Sequence, residues 1–217
     1  MAEHEIRLGK RFFKAAEWAA ARHAARGRSA RSTPSLGQVL GIASLVIEDG
    51  GTEREAIAAM VLDALGDRDA PVEELRDRFG RKVAQLIATC IDGRPDAGVE
   101  SLDLDAVTWK ERREDYVERL EANEDERVVR LAAADTLREI RALVSDLRRH
   151  GSIAFARFVT PPNDQLVYYR SLLGVYSRRM ARGHLAQELR GAVTEMDRLV
   201  ELDTATAAWR VAHVDAA

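Results

Sequence analysis

Three carboxylates and a group of arginines are the residues of this chain best placed to do chemistry. Asp63 follows seven consecutive apolar residues, Ala56 to Leu62, and Asp67 lies about one helical turn further on. A helix that is apolar all round is buried, so Asp63 stands at the edge of a buried segment. An ionised carboxylate there needs a cation, a metal or strong hydrogen-bond donors. The same spacing also describes the wet end of an ordinary core helix. Asp135 interrupts an apolar stripe after Leu131-Ala132-Ala133-Ala134. It reads as a salt-bridged core residue or as a metal ligand, and the residue alone does not choose. Arg26, Arg28 and Arg31 crowd a break containing Gly27, Ser29, Ser32, Thr33 and Pro34. Such a loop can hold phosphate through the planar guanidinium fork, or can simply be solvated.

The elements that must position these residues are all helical. Ile6 to Arg26 has helical spacing in Phe12, Phe13, Ala16, Ala19, Ala20 and His23. Leu36 to Glu48 is a second helix. Thr52 with Glu55 forms a capping box for the central helix, which runs to about Leu65. Pro71 opens a short helix ending near Phe79, and another spans Lys82 to Cys90. Asp92 to Asp105, with two glycines, a proline and four aspartates, reads as a loop. Leu104 to Ala122 is amphipathic, anchored by Trp109, Tyr116 and Leu120. Glu124 to His150 is the longest helical pattern, and Gly151 stops it. Gln165 to Met180 is rich in tyrosine, and Leu185 to Leu202 comes last, with little pattern after about Ala208. There is no convincing strand, repeat or linker. The expectation is one all-α domain of about nine helices over residues 1–205, with a tail at 206–217.

Composition narrows the function classes. The 217 residues are 46% hydrophobic and carry a net charge of −3. That is ordinary for a globular protein with a core and argues against a general nucleic-acid binder. No apolar run reaches membrane-spanning length, the start of the chain lacks a signal-peptide core, and Cys90 is the single cysteine. These features fit a cytoplasmic protein without membrane attachment.

At this point a family resemblance emerges. In order, the chain contains His23-Ala24-Ala25-Arg26-Gly27-Arg28, Pro34-Ser35-Leu36-Gly37-Gln38, Val61-Leu62-Asp63 with Gly66-Asp67, and Phe79-Gly80-Arg81-Lys82-Val83-Ala84. Trp109-Lys110-Glu111-Arg112-Arg113 with Tyr116, and Ala134-Asp135-Thr136-Leu137-Arg138-Glu139, complete the series. This order resembles the metal-dependent HD-domain phosphohydrolases, in particular the bacterial branch similar to the guanosine-tetraphosphate (alarmone) hydrolase domain. The resemblance covers roughly residues 10 to 180. It implies an all-α HD-like fold, and a divalent metal held by a histidine, a His-Asp pair and a distant aspartate.

The ligand set departs from that pattern. Gln38 stands at the first histidine and Leu62 at the second, while Asp63 and Asp135 are retained. Gly66 replaces a catalytic acid, leaving Asp67, and Ser29 stands where a lysine is expected beside Arg28. Glu139 replaces an asparagine, and His23 matches a position that is not a ligand. Two readings follow. In the first, the chain is a catalytically degenerate HD-domain protein needing no cofactor, which binds a nucleotide, a phosphate group or a protein partner. In the second, it is an active phosphohydrolase whose metal site is rebuilt from Gln38, Asp63 and Asp135, with Asp67 as the catalytic acid. That site would take Mg²⁺, Mn²⁺ or Fe²⁺. Under either reading, the resemblance implies that Arg28, Arg112 and Arg113 form a basic mouth for substrate phosphate; a solvated arginine face is the alternative. A third possibility is a structural subunit or homo-oligomer joined through the tyrosine-rich C-terminal helices.

Overall fold

The computed structural model describes residues 7–25, 35–65, 72–92 and 106–214. Among them are nine α-helices and no strand. In chain order these are α1 (Lys10–Ala25), α2 (Ser35–Glu48), α3 (Glu53–Leu65), α4 (Val72–Phe79), α5 (Arg81–Asp92), α6 (Ala106–Ala122), α7 (Glu126–His150), α8 (Pro162–Arg179) and α9 (His184–Val214). A 3-10 segment, Gly151–Arg157, joins α7 to the approach to α8.

α3 is the buried centre, as its composition requires. Every residue from Glu55 to Leu62 is buried, and α1, α2, α5 and α7 pack around it. α7 is the second pillar. Its apolar stripe, including Leu131, Leu137, Ile140 and Leu143, faces the core, and α9 lies along it. Ile57, Leu65, Leu137 and Ile140 are fully buried, so truncating any of them to alanine costs about 2–5 kcal/mol.

The start of α3 is built as its sequence predicts. The Glu55 carboxylate accepts from the Thr52 backbone N–H at 2.9 Å and from the Thr52 hydroxyl at 2.6 Å. Gly50, at φ 82°, makes the left-handed turn out of α2, where a side chain would be strained. Glu55 is also 3% exposed, which a capping box alone does not require. The reason is Arg130 of α7, which reaches both Glu55 and Asp49. Asp49 in turn accepts from the backbone N–H of Leu185 at 3.0 Å, so one cluster ties the α2–α3 turn, α7 and the start of α9 together.

The end of α9 differs from the sequence reading, and other features add to it. Gly151 does end α7, at φ 59°, but the chain continues as a 3-10 turn whose Ser152 N–H donates to Asp203 of α9 at 2.9 Å. α9 does not stop near Leu202; it runs to Val214, since no glycine or proline follows Leu202 to end it. It passes residue 206 without a break. The tyrosines of α8 do not form an outer face. Tyr169 and Tyr176 are 4% and 0% exposed, and Tyr168 is half-buried. No helix among the described residues is long and apolar enough to cross a membrane.

Candidate functional site

Asp63 sits in the last turn of α3, and Asp135 lies at the mid-length of α7, directly alongside. Both line one small cavity of about 50 Å³, together with Leu62, Cys90, Tyr116 and Leu131. That volume holds an ion or a few waters, whereas a nucleotide needs several hundred Å³.

The partner that Asp63 requires is a guanidinium. Nε of Arg138 lies 3.2 Å from Oδ1 of Asp63, and Nη2 of Arg138 lies 3.0 Å from Oδ1 of Asp135. The second contact is a hydrogen bond, and the first is an ion pair without hydrogen-bond alignment. The guanidinium is a small rigid fork, so touching both carboxylates with it holds them within about 10 Å of each other. On the other side of Asp63, its Oδ2 lies 2.8 Å from Nε2 of His23, in the last turn of α1. Asp63 keeps 5% of its side-chain surface exposed, Arg138 31% and Asp135 41%. The buried charge is therefore Asp63, while Asp135 stands at the rim. Burial alone would lower the Arg138 pKa; Asp135, Asp63 and Glu139 raise it on balance.

Glu139 follows Asp135 by one turn. Desolvation, and then the nearby Asp135 charge, lift its carboxyl to about 7, against the pull of Arg138, Arg113 and Arg157. Its surface is nevertheless accessible, so water screens part of that penalty. Arg113 of α6 lies between two aromatic rings, its guanidinium carbon 5.3 Å from the centres of both Trp109 and Tyr168. The planar cation stacks well on such faces. Burial raises the phenol pKa values of Tyr168, Tyr169 and Tyr176, and the Tyr176 hydroxyl pairs with Thr136 at 3.0 Å.

Of the residues singled out in the sequence, Asp63 and Asp135 are brought together. Arg113 is positioned on the α6–α8 side, facing the Glu139 charge, and Arg112 is half-buried on α6. Gln38 lies on α2, its side chain outside the described residues. Arg28 and Asp67 also fall outside them, so the expected basic mouth is described only at Arg112 and Arg113. Sequence reasoning named His23 and Glu139 only as motif positions and gave neither them nor Arg138 a partner in the site. Arg138 carried a usable signal: it follows Asp135 by three positions on one helix, where an ion pair forms readily. His23 carried none, because its contact spans forty residues.

The described residues do not fit a divalent cation well. Leu62, which has no donor atom, faces the cavity, and a metal shared by Asp63 and Asp135 would have to displace Arg138. Among the described residues no three His, Cys, Asp or Glu side chains gather at metal-holding separations.

Comparison with known proteins follows the same lines. No curated protein sequence matches the chain. Among solved structures, lmo0812 from Listeria monocytogenes EGD-e is 20% identical with a TM-score of 0.58, covering 72% of this chain and 96% of that one. A metazoan ortholog of SpoT, described as hydrolysing ppGpp and acting in starvation responses, is 18% identical with a TM-score of 0.58. It covers 86% of this chain and 96% of its own. At such identities these likenesses establish a shared fold. The profile of the HD domain matches residues 15–160, from within α1 to just before α8. That span contains α3, α7, Asp63 and Asp135, and with it this protein belongs to the HD domain family.

Proposed function

We propose that this protein is a catalytically degenerate HD-domain protein, a pseudo-phosphohydrolase in which an arginine side chain stands in for the metal ion. One observation carries the reading: the Arg138 guanidinium touches both Asp63 and Asp135, the two carboxylates that survive from the family's ligand set. A protein cation there neutralises the charge that a divalent metal would otherwise neutralise. It supplies no open coordination position and no activated water, both of which metal-assisted hydrolysis needs. Leu62 in place of an imidazole removes a further ligand. The retained function is binding. Arg113, held rigid by Trp109 and Tyr168, and its neighbour Arg112 offer a pre-positioned basic edge for a nucleotide phosphate. The fold shared with a ppGpp-hydrolysing protein makes guanosine tetraphosphate the first ligand to try.

The test is direct. The unaltered protein is expected to release no phosphate or pyrophosphate from guanosine tetraphosphate or ordinary nucleotides with Mn²⁺. Calorimetric titration with the same compounds is expected to give heat, reduced by Arg113→Ala. No heat with any of them removes the binding role.

A second reading rests on the cavity itself, where two carboxylates face a volume suited to one hydrated ion. In that case Gln38, Asp63 and Asp135 hold Mg²⁺ or Mn²⁺ after Arg138 swings away, and Asp67 assists the reaction. Robust Mn²⁺-dependent hydrolysis that disappears in Asp63→Ala would establish this reading over the first.

A further inference from the structure

The net charge of −3 conceals a strong segregation. Lys10, Arg11 and Lys14 are exposed on α1, on the side opposite its buried residues Phe12, Ala15, Ala16 and Ala19. Arg7 lies just before them. Arg11 also sits beside the α4–α5 corner, its Nη1 3.7 Å from where a side chain on Gly80 would begin. That corner adds the exposed Arg76, Arg81 and Lys82. The acidic groups nearby are Glu17 on α1, Glu53 at the start of α3, whose carboxylate accepts from the Gly9 N–H at 2.8 Å, and Glu73, Glu74 and Asp77 on α4, of which Glu74 is paired with Arg78. Basic charge dominates this corner.

The opposite charge is gathered on α6. Glu111, Glu114, Asp115 and Glu118 are all exposed. Their spacing of three, four and seven positions sets them along one side of a helix. That side is directly away from the inner residues Trp109, Arg113, Tyr116 and Leu120. Lys110 and Arg119 flank the stripe without interrupting it. Within this stripe Glu114, Asp115 and Glu118 repeat the spacing of Lys10, Arg11 and Lys14, so two helices laid together can match three charges in register. α1 packs inward on α2 and α3, and α6 packs on α8. Each stripe faces away from the body, so the two cannot meet within one chain.

We propose that the basic α1/α4–α5 corner docks the acidic face of α6 on a second copy of this chain. A phosphate backbone would satisfy the basic corner but leave the matched acidic stripe on α6 without a role. A second copy satisfies both. A contact made of exposed charges is weak, salt-dependent and specific in register.

Sedimentation velocity at several protein concentrations tests this. At low salt the parent should self-associate, and its apparent dissociation constant should rise about tenfold or more in high salt, where screening acts within about 3–10 Å. The variant Lys10→Glu/Arg11→Glu/Lys14→Glu should be monomeric, and so should Glu114→Lys/Asp115→Lys/Glu118→Lys. Mixing the two should restore association. A control, Arg141→Glu/Arg149→Glu/Arg190→Glu, matches the first variant in net charge and should associate like the parent. All nine positions but Asp115 and the glutamates of α6 carry basic side chains, and all are exposed, so folding should persist and can be checked by circular dichroism. A parent that stays monomeric at low salt overturns the proposal, as does association that survives either face variant or is lost in the control. If a monomeric parent instead binds a fluorescent single-stranded oligonucleotide, and the α1 variant does not, the corner's occupant is nucleic acid and the proposal is wrong.

Discussion

Replacing Arg138 by leucine tests the substituted cation most sharply. The change keeps an apolar stem and removes the guanidinium from between Asp63 and Asp135. Breaking a fully buried ion pair by removing one partner costs about 3–5 kcal/mol. That figure must be reduced here. Asp135 keeps 41% of its side chain exposed, so its share falls to the surface-pair range of about 0–1 kcal/mol. Asp63, at 5%, carries the real cost, but His23 at 2.8 Å still partners it. The expected loss is about 2 kcal/mol, read from the urea midpoint with an unchanged slope. In an Asp63→Asn background the same substitution should cost about 1 kcal/mol less, because the orphaned charge is gone. The second readout is metal. With Arg138 absent, Mn²⁺ should stabilise the variant by about 1.4 kcal/mol at ten times its dissociation constant, while the parent gains nothing at the same concentration. Equal stability of parent and variant, or equal stabilisation of both by Mn²⁺, would refute the idea that this arginine occupies the metal's role.

Two further outcomes follow from the same geometry. Gln38→His with Leu62→His should bind Mn²⁺ weakly at best, because Arg138 still competes for both carboxylates; adding Arg138→Leu should tighten binding by calorimetry. Hydrolysis should stay low in that triple variant, since Gly66 leaves general acid–base help worth about 10²–10⁴-fold incomplete. Tight metal binding by the double variant alone would show that Arg138 is no barrier. Glu139 gives a pH signature. Its carboxyl is raised from 4.5 to about 7 in the folded state, so the folded protein binds its proton more tightly than the unfolded chain does. That contribution is present below pH 4.5 and is lost as pH rises through 7. Glu139→Gln should flatten the decline in stability across this window by less than about 1 kcal/mol, given the accessible side chain. Urea midpoints from pH 4 to 8 that run parallel for parent and variant would contradict it.

The helical frame was legible in the residues themselves. The apolar run Ala56 to Leu62 reads as a buried segment, and Thr52 with Glu55 marks it as the start of a helix; both are local signals that survive folding. The order of motifs around Asp63, Phe79-Gly80 and Asp135 was likewise written along the chain, and it pointed to the HD domain family. The losses at Gln38 and Leu62 were visible for the same reason, because a missing imidazole is a property of one position. What filled the space could not be read in this way. His23 meets Asp63 across forty residues, and Arg138 reaches Asp63 from a different helix, contacts that exist only once α1, α3 and α7 pack. The end of α9 was misjudged because the residues after Leu202 carry little local pattern; the stop of α7 at Gly151 was legible, but the 3-10 turn after it was not, since its anchor is Asp203, fifty-one residues beyond Ser152. The sequence by itself therefore determined the helices, their buried faces and the absence of imidazole at positions 38 and 62. Tertiary packing decided which cation and which imidazole meet Asp63, since a buried carboxylate takes its partner from whatever the neighbouring helices bring within about 3 Å.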